Sequence, residues 1–331
     1  MIPHSKPTIG PDEVRSVSRV LESGQLAQGA EVAAFEEECA AFAGRRHGVA
    51  VNSGTAALHL ALLALGVGQG DSVALPSYAC DALAQAAAWC GAAPALCDIG
   101  DGYNLDPAQV PADAKAVIVP HLFGATAKLP DHPALIEDLA QSWGGPTGKA
   151  SPVAIASFYA TKMMATGEGG MLLTDDDGIA EFARERRDYD QRDDFRVRYA
   201  CKMTEFQAAM GRVQLRRLPD FVARRAEIAA AYHMGLQGTP LHLPRQTQSV
   251  HFRYVIATPA RERMTAWLQA RGVGACRPVY RPLHLAVGGN CPRASEAHES
   301  AVSLPIYPAL TTGDVEFVIQ STVQFFEQVD G

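Results

Sequence analysis

At 331 residues, with 47% hydrophobic and 20% charged content, the chain has the balance of a globular protein and room for two domains. A formal net charge of −7, with no run of basic residues interleaved with aromatics, argues against nucleic-acid binding. No apolar run reaches membrane-spanning length, the MIPHSKPTIG start lacks signal-peptide character, and seven irregularly spaced cysteines with no C-x-x-C pair predict reduced thiols, no metal site and a cytoplasmic protein.

Taken in order, Pro11–Ser23 reads as a helix, with Val14, Val17, Val20 and Leu21 at helical spacing, and Ala30–Ala43 as a second. HGVAV then predicts a short strand, followed by a small-residue turn and a helix that begins near Thr55. Ser53, Gly54 and Thr55 therefore sit at a helix N-terminus, where free N–H groups and the helix dipole favour a phosphate. Ordinary N-capping by Ser53 or Thr55 explains the same residues. The glycines at 66, 68 and 70 close that helix and precede a strand, the reverse of a dinucleotide-binding fingerprint, so a nicotinamide enzyme is not expected.

Strands and helices then alternate: Ser72–Leu75, Asp81–Trp89, Pro94–Asp98 and Ala116–Val119. Such alternation predicts an α/β fold with a mainly parallel sheet and sites at the strands' C-terminal ends. His121 stands at one such end, placed either to touch a ligand or to cap the strand. The run from Ala134 to Gln141 carries an apolar strand into a carboxylate, Asp138. That carboxylate suits a protonated pyridine nitrogen, or equally a helix N-cap. In SFYATKMMATGEGG the single cation of an otherwise uncharged run is Lys162. Burial frees such an amine to attack a carbonyl and to form a Schiff base with pyridoxal 5′-phosphate (PLP), although a snorkelling lysine fits the segment too.

The stretches NSGTAALHLALLALGVGQGDSVALPSY, VPHLFG, IEDLAQ, SFYATKMMATGEGG, KMTEFQAAMGRVQLRRL and RPLHL, in that order, resemble the DegT/DnrJ/StrS sugar aminotransferases. The likeness spans nearly the whole chain. It implies a fold type I PLP-dependent transferase with a large domain at 1–215, a smaller α+β domain at 216–331, and an N-terminal helix able to pack with the small domain. By this resemblance Lys162 is the Schiff-base lysine and Asp138 the partner of the pyridine nitrogen. Gln141 lies near the ring hydroxyl, and Ser157 joins Gly54 and Thr55 in the phosphate cradle. The implied reaction passes an amino group, with glutamate as donor, to a keto sugar linked to a nucleotide. The implied assembly is a homodimer with shared sites.

Several positions depart from the family pattern. Cys80 stands where an aromatic ring usually stacks on the cofactor, with Tyr78 close enough to substitute. Ala200 replaces an asparagine that reaches the neighbouring subunit, and Lys202 follows in place of an arginine. The stretch between Gly124 and Leu135 is too short for much of a helix. These departures keep open other PLP chemistry on this fold, such as a sugar dehydratase or lyase, or a binding protein without catalysis. Lysine, rather than the histidine of the related dehydratases, favours transamination. Downstream, the long helix that begins at Thr204 contains Pro219, expected to kink or restart it. Arg277, Tyr280, Arg281 and His284, in the loop matching the family's substrate pocket, are candidate substrate ligands.

Overall fold

The computed structural model describes residues 1–245 and 248–327. The N-terminal helices α1 (Pro11–Ser23) and α2 (Ala30–Ala43) form where the apolar spacing predicts them. Each stops at a glycine with positive φ, Gly24 and Gly44. β1 (His47–Val51) leads through the Asn52–Ser53 turn into α3 (Gly54–Ala64). There follow β2 (Ser72–Pro76), α4 (Ala82–Trp89), β3 (Ala93–Cys97), β4 (Ala116–Pro120), β5 (Leu135–Asp138), β6 (Val153–Ser157) and β7 (Gly170–Thr174).

These strands make one seven-stranded sheet in the order β1-β7-β6-β5-β4-β2-β3. The block from β3 to β6 is parallel, and β7 runs antiparallel to both of its neighbours, β1 and β6. Strands covered on both faces read as continuous apolar runs, as in AVIVP and VAIAS, whose residues are all buried. Between β4 and β5 the chain makes only a 3₁₀ turn at Leu122–Gly124, so the short connection lacks a helix as expected.

α5 (Asp177–Arg186) leads to α6 (Glu205–Leu236), which runs unbroken across Pro219. The expected restart at that proline does not occur. A mid-helix proline costs about 3 kcal/mol, but Leu218 and Phe221 on either side are buried, and α1, α2 and the C-terminal helix pack along α6. A second, two-stranded sheet pairs β8 (Tyr254–Ala257) with β9 (Ala301–Leu304). α7 (Arg261–Ala270), α8 (His284–Val287), α9 (Pro292–Ser300) and α10 (Thr312–Glu327) accompany it.

The first half of α6 buries Ala208, Leu215 and Leu218 against the seven-stranded sheet. The second half buries Ile228, Tyr232 and Leu236 in a separate core with the small sheet, and Ile2 joins that second core. Two acidic residues tie helix ends together. Glu205 accepts from the backbone N–H groups of Gly29, Glu31 and Val32 at 2.8–2.9 Å, capping α2 from the start of α6. Glu13 of α1 is buried and accepts from Gln214 and Arg217 of α6.

Candidate active site

The C-terminal ends of β5 and β6 and the N-terminus of α3 meet at one place. Register pairs Ser157, at the end of β6, with Gly170, at the start of β7. The Ser53–Gly54 turn lies directly on that pair. A methyl group on Gly54 would stand 2.8 Å from Ser157 Cβ, and one on Gly170 would stand 2.3 Å from the Ser53 carbonyl oxygen. Only glycine permits this approach. It leaves the first-turn N–H groups of α3 beside the Ser157 hydroxyl, a concave set of donors suited to a phosphate. The Ser53 hydroxyl itself is spent as an N-cap, accepting from Ala56 N–H at 3.1 Å. The N-cap reading thus holds for the Ser53 hydroxyl.

Asp138 is buried, and its Oδ1 accepts from Ala140 N–H at 2.8 Å. Burial raises its pKa, against the Ala140 hydrogen bond and the fields of Lys162 and His121. Its Oδ2 has no hydrogen-bond partner among the described residues. A cationic ring nitrogen would offset that desolvation. Lys162 sits half-buried in the turn after β6, with its Nζ 5.5 Å from the centre of the Phe252 ring. Cys80 has accessible surface yet lies deep in the same concavity. Burial raises its thiol pKa, while the field of Lys162 lowers it and that of Asp138 raises it. Gln141 accepts at Oε1 from Phe123 N–H at 2.8 Å, leaving its amide N–H₂ as a donor toward a ring oxygen.

Other predicted ligands are taken up elsewhere. His121 does not face a ligand. It is 1% exposed, its Nδ1 accepts from Ala127 N–H, and its Nε2 meets Glu137 Oε2 at 3.1 Å. Strand-end capping is what its geometry satisfies. His284 is buried between the hydroxyls of Ser77 (2.6 Å) and Ser295 (2.8 Å), so neither ring nitrogen is open to a substrate. Tyr78 cannot stack on a cofactor in place of an aromatic residue at Cys80. It is fully buried, packs on Tyr103 and Phe123, and bonds to the Ala297 carbonyl. Lys202 is bound by Asp188 and Asp190 at 2.8 and 2.6 Å. Arg277 reaches Glu262 at 3.5 Å, Arg281 donates to the Leu285 carbonyl, and Tyr280 is 90% exposed. The 277–284 loop thus turns Tyr280 to solvent, Arg277 toward α7, Arg281 onto the nearby backbone and His284 into the protein.

Sequence reasoning passed over Glu137, the neighbour of Asp138. It is 2% exposed and accepts from Gly148 N–H, Ala150 N–H, Ser151 Oγ and His121 Nε2, at 2.8–3.1 Å. Burial raises its pKa, but these donors outweigh burial and hold the group at about 2. The carboxylate ties β4 and the 148–151 loop to β5, and so fixes the strand end that presents Asp138. The signal was an acidic residue inside an apolar strand. Phe252 was also missed, because no local pattern links it to Lys162.

The residues present fit PLP: a donor cradle at a helix start, a buried carboxylate with no ion pair among the described residues, and a lysine in the turn after β6. Residues 7–323 match the DegT/DnrJ/EryC1/StrS aminotransferase family. The chain belongs to this family. Members of it use PLP, and this chain is a PLP-dependent aminotransferase by membership. It is 33% identical to the spore coat polysaccharide biosynthesis protein SpsC of Bacillus subtilis (strain 168), over 99% of this chain and 98% of that one. It is also 33% identical to the dTDP-3-amino-3,4,6-trideoxy-alpha-D-glucose transaminase of Streptomyces venezuelae, over 95% and 92%. Among solved structures, the aminotransferase TlmJ from Streptoalloteichus hindustanus is similar over 100% of both chains, with a TM-score of 0.92 and 32% identity. A fold type I large sheet with a smaller C-terminal sheet is what these aminotransferases share with this chain. Among the described residues, no helix is long and apolar enough to cross a membrane.

Proposed function

We propose that this aminotransferase transfers the amino group of glutamate to a keto sugar carried on a nucleotide, as a cytoplasmic homodimer. The observation that supports this reading of the site is the close approach of Gly54 to Ser157 at the end of β6, beside the buried Asp138 at the end of the paired strand β5, with Lys162 in the turn that follows. Bound PLP supplies an aldehyde that carries nitrogen and a ring that withdraws electrons from the reacting carbon. Gly54 and Thr55 N–H groups and the Ser157 hydroxyl hold its phosphate. The carboxylate of Asp138 keeps a proton on the ring nitrogen, and Gln141 donates to the ring oxygen. Lys162 would be the amine that holds the cofactor, and its free amine would be the group able to move a proton at the substrate carbon. Lys202, Arg277, Tyr280 and Arg281 lie too far into other contacts or solvent to serve in the isolated chain. A second copy is the setting in which they would reach a site. Support for a second copy comes from exposed apolar side chains around Lys202: Tyr189, Phe195 at 99% and Val197. We also infer that the two cores mark lobes at 1–215 and 216–331, joined along α6.

The test is a spectrum of the protein incubated with PLP, titrated with glutamate and then with nucleotide-linked 3-keto and 4-keto sugars. Glutamate should remove the visible band of the lysine-linked cofactor, and the correct keto sugar should restore it. A band that no amino donor alters would point to a dehydratase or lyase instead. Failure to acquire a band would refute the site.

A further inference from the structure

A cleft of about 650 Å³ lies between the ends of β3 and β4 on one side and the small sheet on the other. Its wall carries Lys128, Arg245, Arg253 and Arg293 against two acids, Asp101 and Asp106, in a chain whose formal charge is −7. The acids neutralise little of it. Asp101 is divided between Arg245 at 3.5 Å and Arg293 at 4.0 Å, and Asp106 caps its own turn by accepting from Ala108 N–H.

Arg253 differs from the other three in being largely enclosed by protein without a carboxylate. Its Nη1 meets the His4 ring at 3.0 Å, its guanidinium stacks 5.2 Å from the centre of Phe252, and its Nε is buried without a partner. Its Nη2 makes no hydrogen bond among the described residues. His4 cannot supply a counter-charge, since an imidazole is neutral or cationic; burial, with Arg253 beside it, holds its pKa near 3, so it is neutral here. Behind Arg253 stands a second buried guanidinium. Arg225 spends its Nη1 on the carbonyl oxygens of Phe252 and Ile306, and it makes no ion pair among the described residues. Burial lowers the pKa of both arginines, and the charge of Arg253 lowers that of Arg225 further, to about 9. Two enclosed cations without an anion are costly, and an anionic ligand in the adjoining cleft would relieve that cost.

We propose that this cleft is an oxyanion site for a phosphorylated small molecule, with Arg253 at its floor and Lys128, Arg245 and Arg293 at its mouth. A phosphate fits better than a single carboxylate, because three mouth cations outnumber the two acids beside a floor cation that is itself unpaired. Tyr103, partly exposed in the wall, offers flat apolar surface to the remainder of such a molecule. The Lys162 amine lies 5.5 Å from the same Phe252 ring that Arg253 touches, so the cleft adjoins the reacting centre. The phosphate has two possible sources, the diphosphate of a nucleotide-linked acceptor or a separate organic phosphate. The inference does not depend on the role assigned to Lys162.

The experiment is calorimetric titration of the PLP-loaded protein with inorganic pyrophosphate, so that the phosphate cradle at Gly54 is already filled. We expect saturable binding, weakened at least about ten-fold by Arg253→Met. The Lys128→Ala/Arg245→Ala double variant, altered only at exposed side chains, should weaken it several-fold and flatten its salt dependence. If Arg253→Met does not fold, the double variant decides. Displacement of pyrophosphate by a nucleoside diphosphate would assign the site to the acceptor; persistence of pyrophosphate against it would assign a separate ligand. Absence of saturable binding at millimolar pyrophosphate, or binding that the folded variants leave unchanged, would overturn the proposal. Loss of the visible band with pyrophosphate binding intact would count against the Lys162 assignment alone.

Discussion

Substituting Glu137 by glutamine keeps the shape of the side chain and removes its charge, which makes it a sharp probe of how the site is held. Each carboxylate oxygen faces a backbone N–H, Gly148 for Oε2 and Ala150 for Oε1. Whichever way the amide turns, its N–H₂ confronts one of those donors. A buried donor left without an acceptor costs about 1–3 kcal/mol, and loss of charge-assisted bonds to the remaining donors raises the total to about 3–5 kcal/mol. The wild type should also show a matching pH dependence. Its folded-state pKa, about 2, lies below the ordinary 4.5 of the unfolded chain, so the stabilisation is complete above pH 4.5 and is lost as pH falls toward 2. A shift of that size corresponds to about 3–4 kcal/mol, since the group is almost fully enclosed. Urea unfolding of both proteins from pH 7 down to pH 3 measures the effect. The variant should be weaker at pH 7, with a shallower loss of stability on acidification. Equal stability within about 1 kcal/mol at pH 7, or parallel pH curves, would show that Glu137 does not brace the Asp138 strand end.

Lys162→Ala should bind PLP without forming the visible band; an unchanged spectrum would remove the lysine from its role. Gly54→Ala drives a methyl group into Ser157 and should weaken PLP binding about ten-fold or more, roughly 1–3 kcal/mol of overpacking, with equilibrium dialysis as the measure. In that background Ser157→Gly should recover part of the lost unfolding free energy, because it removes the Cβ that the new methyl group meets, but not the affinity that the Ser157 hydroxyl supplies; no recovery of stability in a denaturant titration would argue that the contact is not the cause. Glu205→Ala strips the cap from three N–H groups of α2 and should lower unfolding free energy by about 2 kcal/mol, read by denaturant titration; a change below about 0.5 kcal/mol would show that water replaces the carboxylate.

What the sequence determined was what depends on neighbours in the chain. Helix and strand periods, glycine stops and the continuous apolar strands of a two-sided sheet are local, so α1, α2 and β1 appear where their residues place them. Order along the chain was also enough to bring Gly54, Asp138, Ser157 and Lys162 together, because parallel strands deliver their C-terminal ends to one rim. Only the tertiary structure decided which polar groups remain open. His121, His284 and Tyr78 looked available until packing brought Glu137, Ser295 and Ala297 against them from 16, 11 and 219 residues away. Pro219 could not be read either, because a helix broken by its own chemistry is held straight through by cores at both ends. Hydrogen-bond satisfaction and enclosure are set by chain segments far apart in sequence, and no pattern of nearest neighbours records them.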